Sequence, residues 1–129
     1  KEKDFRFWIK NADWESYRGQ SVYIYCSADA IIPTWAYMLV SASLHPHAAY
    51  ICVGSKIDLE KQLIAENIRK IDMAKFKNAK VIVKGCSDIS NPEFALVTLL
   101  NHLQAHVDSL MYGEPCSTVP VYKKAKNKD

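Results

Sequence analysis

The feature of this sequence that most constrains its fold is a strand–helix–strand pattern that occurs twice along the chain. A short apolar run at 21–25 precedes a helix opened by Pro33 and a second apolar run at 49–53. The run at 80–84, the helix opened by Pro92 and the run at 108–112 then follow in the same order. Residues recur at identical offsets in the two halves: Tyr17, Val22, Ala36, Leu44, His47 and Gly54 match Phe76, Val81, Ala95, Leu103, His106 and Gly113. The pattern predicts two pseudo-repeated βαβ units.

These units predict the fold class. A helix between two strands allows the strands to run parallel, because a parallel pair needs a long crossover connection. The amphipathic segment from Asp58 to Lys70 is expected to join the units. We therefore expect a three-layer α/β fold with a doubly wound, parallel four-stranded sheet in the order 2-1-3-4. A chain of 129 residues favours one domain. Residues 1–122 are expected to form it, with a helical amino-terminal segment, and residues 123–129 a basic disordered tail.

Three of the four cysteines precede a serine, and two of these pairs follow a predicted strand. The pairs are Cys26–Ser27, Cys86–Ser87 and Cys116–Ser117. Strands one and three are neighbours in the predicted sheet, so Cys26 and Cys86 are expected in the crevice where open parallel sheets bind ligands. Cys116 follows the last predicted strand on a loop that two prolines stiffen. These positions predict that the three thiols serve one site.

Cysteine thiolates are the ligands that zinc, iron and iron–sulfur clusters favour. We expect Cys26, Cys86 and Cys116 to bind one of these cofactors. A fourth ligand would come from Asp29, Asp88, Glu114, a histidine or water. The residues after the cysteines, Ser27, Ser87 and Ser117, would donate hydrogen bonds to the sulfurs or cap the surrounding turns.

Two other functions are compatible with the same cysteines. A cysteine just before a helix has its pKa lowered by the helix dipole, which would suit a thiol or persulfide transfer enzyme or a redox enzyme. Free cysteine is also common in protein cores. The third alternative is therefore a non-catalytic dimeric interaction module with structural cysteines, and whether the protein is an enzyme stays open. Cys52 lies inside a predicted strand with no serine after it, and we expect it in the core.

The predicted helix at 34–40 is apolar almost all round, which predicts burial on more than one side. Either a homodimer interface or the amino-terminal segment with Phe5, Trp8 and Trp14 would cover it. The net charge of +3 is too small to favour a nucleic-acid partner. No apolar run approaches the roughly 18 residues of a membrane span, and no secretory signal is visible. We expect a cytoplasmic protein with reduced cysteines.

The segments around the three Cys–Ser pairs resemble one bacterial family. They are CSADAIIPTWAY at 26–37, KGCS at 84–87 and GEPCSTVP at 113–120. On these motifs, and over nearly the whole chain, the sequence resembles domain of unknown function 2480, found mainly in Bacteroidetes. The resemblance implies that Cys26, Cys86 and Cys116 are motif cysteines and that family members carry an additional amino-terminal segment. Family genes tend to lie beside those for SUF-type iron–sulfur assembly, which implies an accessory role there and iron–sulfur assembly proteins as partners.

Overall fold

The computed structural model describes residues 1–28, 30–85, 88–114 and 116–126, with only the backbone of Glu114. The chain forms two compact units, Lys1–Gln62 and Leu63–Asp129. The first contains helix α1 (Glu2–Asn11), a 3₁₀ helix (Trp14–Tyr17), strand β1 (Ser21–Ile24), helix α2 (Thr34–Leu44) and strand β2 (Tyr50–Val53). Helix α3 (Lys56–Arg69) continues into the second unit. That unit contains a 3₁₀ helix (Met73–Phe76), strand β3 (Lys80–Lys84), helix α4 (Pro92–Leu103), strand β4 (Ser109–Glu114) and strand β5 (Ser117–Lys123).

The repeat seen in the sequence is present in the strand pairing of both units. β1 pairs in parallel with β2, starting with Ser21 opposite Tyr50. β3 pairs in parallel with β4, starting with Lys80 opposite Ser109. In each unit the crossover helix, α2 or α4, connects the two strands of the pair. The two halves therefore build the same local βαβ structure.

The turn that leads into the first strand of each repeat has the same backbone conformation. Gly19 has φ +72° in the first unit, and Asn78 has φ +59° in the second. The Gly19 N–H donates to the carbonyl of His47 at 2.9 Å, and the Asn78 N–H donates to that of His106 at 2.7 Å. Glycine and asparagine are the residues that tolerate this left-handed conformation best. The turn thus explains why these two residue types occupy equivalent positions.

The prediction of a doubly wound four-stranded parallel sheet in the order 2-1-3-4 is wrong. The described residues form two sheets, β1-β2 and β3-β4-β5, and β5 is antiparallel to β4. Each first strand pairs with the strand that follows its own crossover helix. β5 reaches β4 through a tight turn between Glu114 and Ser117, so this pairing closes a much shorter loop than a pairing between the repeats would. The crevice between strands one and three, on which the grouping of the cysteines rested, is accordingly not found in the part of the chain described.

The loop predicted around Cys116, with its two stiffening prolines, is instead a strand from Ser117 onward. Pro120 has no N–H to donate, and proline is tolerated in sheets chiefly at edges and bulges. β5 satisfies both conditions, since it lies at the edge of its sheet and its register shifts opposite Leu110 and Met111. Lys123, where the tail was predicted to begin, is the last residue of β5. Residues 127–129 lie outside the described residues, so a disordered tail there stays a prediction.

Helix α1 covers part of the apolar helix α2. The ring of Phe5 meets that of Trp35 edge-on, with 5.9 Å between centroids, and the Arg6 guanidinium lies 5.2 Å from the Trp35 ring centre. Ala36 and Leu44 are the buried residues of α2. Cover by the amino-terminal segment, one of the two predicted explanations for this apolar helix, is therefore observed. A homodimer interface stays a prediction.

Helix α3 begins at Lys56, two residues before Asp58, where the predicted amphipathic segment starts. Ser55 precedes the first helical residue, and its N–H donates to the Asp58 carboxylate at 2.7 Å. The Asp58 N–H donates in return to Ser55 Oγ at 3.2 Å, so the two residues form a reciprocal capping box. The Ser55 N–H is the main cause of the lowered pKa of the Asp58 carboxyl. Gly54, with φ +132°, turns the chain from β2 into this cap.

Each unit has a small apolar core. In the first, the buried residues are Ala36, Leu44, Cys52 and Leu59. In the second, Leu103, Val107 and Leu110 form one cluster beneath α4 and its strands. None of the helices in the described ranges is long and apolar enough to cross a lipid bilayer.

Candidate functional site

Cys26 lies just beyond the carboxyl end of β1. The strand ends at Ile24, and Tyr25 connects it to Cys26. The Cys26 side chain is exposed, and its Sγ–H donates to the carbonyl of Ala28 at 3.3 Å. Residues 27–33 separate it from the first residue of α2, Thr34. The thiol is therefore accessible, but it does not directly precede the helix as the transferase hypothesis assumed.

Cys116 occupies the turn between β4 and β5. It is exposed, and the residues on either side of the turn, Glu114 and Ser117, face each other in the antiparallel ladder. The hairpin holds the ends of the turn together, which limits the positions that the Cys116 thiol can take. Cys26 belongs to the first unit and Cys116 to the second.

Several predicted site residues lie outside the part of the chain described, namely Asp29, Cys86 and Ser87. Asp88 is exposed in a turn, Ser27 is exposed beside Cys26, and Ser117 is the first residue of β5. Among the residues that the structure describes, no three His, Cys, Asp or Glu side chains come together as a metal-binding group. The predicted three-cysteine set includes Cys86, so it stays a prediction.

Cys52 differs from the other described cysteines. It lies in β2 and is buried, as the sequence predicted. Burial raises the pKa of the Cys52 thiol, and the negative charge of Asp58 adds to the effect. A buried thiol that resists ionisation suits packing better than ligation or nucleophilic attack. The prediction that Cys52 is a core residue is confirmed.

This difference predicts the order in which the thiols react. In metal-free protein at pH 8, we expect iodoacetamide to modify Cys52 at least about tenfold more slowly than Cys26 or Cys116, because Cys52 must first become exposed. Peptide mass spectrometry of timed samples measures the three rates separately. In strong denaturant the rates should converge, which is the control. Equal rates in the native protein would contradict the burial of Cys52.

An open, largely apolar cavity of about 420 Å³ lies in the first unit, beside β1. Its walls come from α1, the first 3₁₀ helix, β1 and α2, and seven aromatic side chains take part: Phe5, Trp8, Trp14, Tyr17, Tyr23, Tyr25 and Tyr37. Cys26 and Ser27 border the same cavity. A volume of this size and an aromatic lining with few polar groups are typical of binding pockets. The sequence did not reveal this cavity, since its walls are distant along the chain.

The second unit has a smaller cavity whose lining partly matches that of the first. Its volume is about 200 Å³, and it lies between α4 and the β3-β4-β5 sheet. Three of its lining residues, Val83, Leu96 and Leu99, occupy the repeat positions of Ile24, Tyr37 and Val40 in the larger cavity. No cysteine lines the smaller one among the described residues. The two clefts thus share part of their lining, and among the described residues only the cleft of the first unit has a thiol at its border.

A polar cluster that sequence reasoning missed connects the first 3₁₀ helix to the end of α2. The Glu15 carboxylate pairs with the Arg18 guanidinium and lies 2.7 Å from Nδ1 of His47. Arg18 lowers the pKa of Glu15, mainly through this hydrogen bond, and Glu15 raises the pKa of Arg18. All three groups lie at the protein surface or near it, so the cluster adds little stability. It explains the conformation of the turn without adding a ligand to the cysteines.

The sequence model of one protein family matches residues 1–124, which includes both units, Cys26, Cys116 and strand β5. The chain belongs to the DUF2480 family of proteins of unknown function. Comparison with curated proteins and with solved structures gives no significant match. The match confirms the resemblance inferred from the Cys–Ser segments.

Proposed function

We propose that this DUF2480 protein binds zinc, iron or an iron–sulfur cluster through the thiolates of Cys26, Cys86 and Cys116. The observation that carries the proposal is the contrast among the described cysteines. Cys26 and Cys116 are exposed on segments that follow parallel strands, whereas Cys52 is buried and resists ionisation. Accessible thiols can lose their protons to a metal, and this loss is required for ligation.

The ligand chemistry favours a metal that accepts sulfur. Three thiolates leave one position for a fourth ligand, which Asp29, Asp88 or Glu114 would supply, or for water. The serines at 27, 87 and 117 would then hydrogen-bond to the sulfurs and adjust the properties of the metal. Such a site suits a protein that carries metal or assists iron–sulfur assembly in a reducing compartment, and we propose that role in the cytoplasm.

A thiol or persulfide transfer reaction is the second candidate function, because an exposed thiol such as Cys26 would also be open to a substrate. Its main argument was activation by the dipole of the following helix. That effect falls off within the first helical turn. Residues 27–33 lie between Cys26 and α2, so this argument is weakened for Cys26. The metal proposal does not depend on the dipole.

Isothermal titration calorimetry with zinc tests the proposal. Each bound thiolate releases its thiol proton, so titrations in buffers of different ionisation enthalpy report how many thiols take part. We expect replacement of Cys26, Cys86 or Cys116 by serine to weaken zinc binding by about a hundredfold or more, because a soft ligand is lost. Cys52→Ser is the matched control and should bind zinc as the wild type does. Equal affinity in all four variants would overturn the proposal.

A further inference from the structure

The edge of β1 that faces away from β2 carries unpaired backbone groups. The carbonyls of Gln20 and Ile24 accept hydrogen bonds from the β2 side, at 2.8 and 2.9 Å respectively. Alternate residues of a strand direct their N–H and C=O groups to opposite edges, so Ser21, Tyr23 and Tyr25 direct theirs away from β2. Within the described ranges, no backbone hydrogen bond involves these outward groups. The edge is therefore ready to accept another strand.

This edge lacks the features by which proteins usually prevent strand addition. Charged side chains and prolines on edge strands discourage pairing with another chain. β3 carries Lys80 and Lys84 at the positions that face its own free edge, and β5 contains Pro120. The segment from Ser21 to Tyr25, by contrast, has no charge and no proline. The composition of β1 favours association instead of preventing it.

The surface beside this edge is apolar. All residues from Val22 to Tyr25 border the 420 Å³ cavity, and Tyr25 is 63% exposed. Among the large apolar side chains that line this cavity, those more than a third exposed are Trp8, Tyr17, Tyr25 and Ile32. At ~200 Å² for a large side chain, they expose on the order of 400 Å², so the paired strands themselves must supply about half of the roughly 800 Å² that each partner of a standard interface contributes.

We infer that two copies of this chain associate through the free edges of β1, which pair antiparallel about a two-fold axis at Tyr23. In this register Tyr23 faces its counterpart, and Ser21 of each copy faces Tyr25 of the other. All the outward N–H and C=O groups then gain partners. The interface is isologous, as in most homodimers. The pairing uses none of the cysteines, so the inference goes beyond the proposed metal site and does not depend on it.

The side chains of β1 fit this self-pairing. The rings of Tyr23 and Tyr25 stack with centroids 5.7 Å apart and planes 28° apart, which places them on one face of the strand. The two-fold axis extends this stack across the interface, and aromatic cross-strand pairs stabilise sheets. On the other face, Val22 lies opposite Ile24 of the second copy. No charged residue opposes another, and this complementarity favours a second copy over a charged peptide as the occupant.

Analytical ultracentrifugation of the whole chain at tens of micromolar tests the inference. We expect a dimer for the wild type. Tyr23→Lys brings two like charges together at the axis and should raise the dissociation constant by about a hundredfold or more. The matched control is Ile82→Lys, at the repeat-equivalent position on the free edge of β3, where the residue is 54% exposed. This control should remain dimeric.

A charge exchange separates loss of pairing from loss of folding. Tyr23→Glu alone should be monomeric, and a mixture of Tyr23→Lys with Tyr23→Glu should form a heterodimer, since opposite charges then meet at the axis. In the wild type, hydrogen exchange of the Tyr23 amide should slow as concentration rises through the dissociation constant. A monomeric wild type, a dimer unaffected by Tyr23→Lys, equal dissociation caused by Ile82→Lys, or exchange independent of concentration would each overturn the inference. If the protein is monomeric but still binds metal, the inferred strand pairing is wrong and the proposed metal site is unaffected.

Discussion

Replacing Leu103 by alanine is expected to lower the free energy of unfolding by about 2–5 kcal/mol. Leu103 is only 3% exposed and forms the centre of the second core with Val107 and Leu110. The substitution removes the apolar contacts of the side chain and leaves a cavity that the short strands around it cannot fill completely. The loss is a large fraction of the stability of an ordinary domain.

The matched control for this prediction lies on the same helix. Val97 in α4 is 58% exposed, and Val97→Ala should change the free energy of unfolding by less than about 0.5 kcal/mol. Urea denaturation followed by circular dichroism is the suitable measurement, because all three tryptophans, at 8, 14 and 35, lie in the first unit. A loss below about 1 kcal/mol for Leu103→Ala would show that the core is not packed as described.

The second large effect is expected at Gly54. Its φ of +132° lies in a region that residues with a Cβ rarely adopt, and an added Cβ would collide with the Asp58 carboxylate. Gly54→Ala should therefore strain the backbone and disrupt the capping box between Ser55 and Asp58. We expect the free energy of unfolding to fall by about 2 kcal/mol or more. Tryptophan fluorescence during urea denaturation reports on this unit.

Gly19 provides the control for the backbone argument. It also has a positive φ, but no atom lies within 4 Å of the place where its Cβ would be. Asparagine already occupies the equivalent position of the second repeat, at Asn78. Gly19→Asn should consequently cost less than about 0.5 kcal/mol. If both substitutions had the same effect, the close approach to Asp58 would not be the cause of the loss at Gly54.

Local structure was predictable because single residues signal it. Pro92 begins α4, as predicted, and Pro33 directly precedes the first residue of α2. Proline suits these positions because its missing N–H would have no helical partner there. Gly19, at the turn before β1, has the positive φ that glycine tolerates best. The repeat likewise predicted that each half contains a helix between two strands. These features depend on neighbours along the chain.

The sheet arrangement was not predictable in the same way. A strand sequence indicates that a strand forms, but not which edge of another strand it meets. β5 was not predicted. Pro120 gives no sequence signal for a strand, and only the structure shows that β5 lies at an edge with a register shift. The order 2-1-3-4 assumed that the repeats share one sheet, which the observed pairing contradicts.

Only part of the candidate site was likewise predictable from the sequence. Sequence reasoning separated Cys52 from Cys26 and Cys116, and burial confirms the placement of Cys52 in the core. Sequence reasoning did not find the aromatic cavity, because α1, β1 and α2 supply the cavity walls from separate parts of the chain. The grouping of the cysteines rested on a strand order that is wrong. The metal proposal now depends on their exposure and ligand chemistry.

The most direct test of the metal proposal is elemental analysis of the wild-type protein, purified anaerobically without chelators or a histidine tag. We predict about one zinc or iron ion per chain, or several irons with matching sulfide if the cofactor is a cluster. A Cys26→Ser variant prepared in parallel should lose most of this metal, whereas Cys52→Ser should keep it. Metal-free wild-type protein with all its thiols reduced would contradict the proposal.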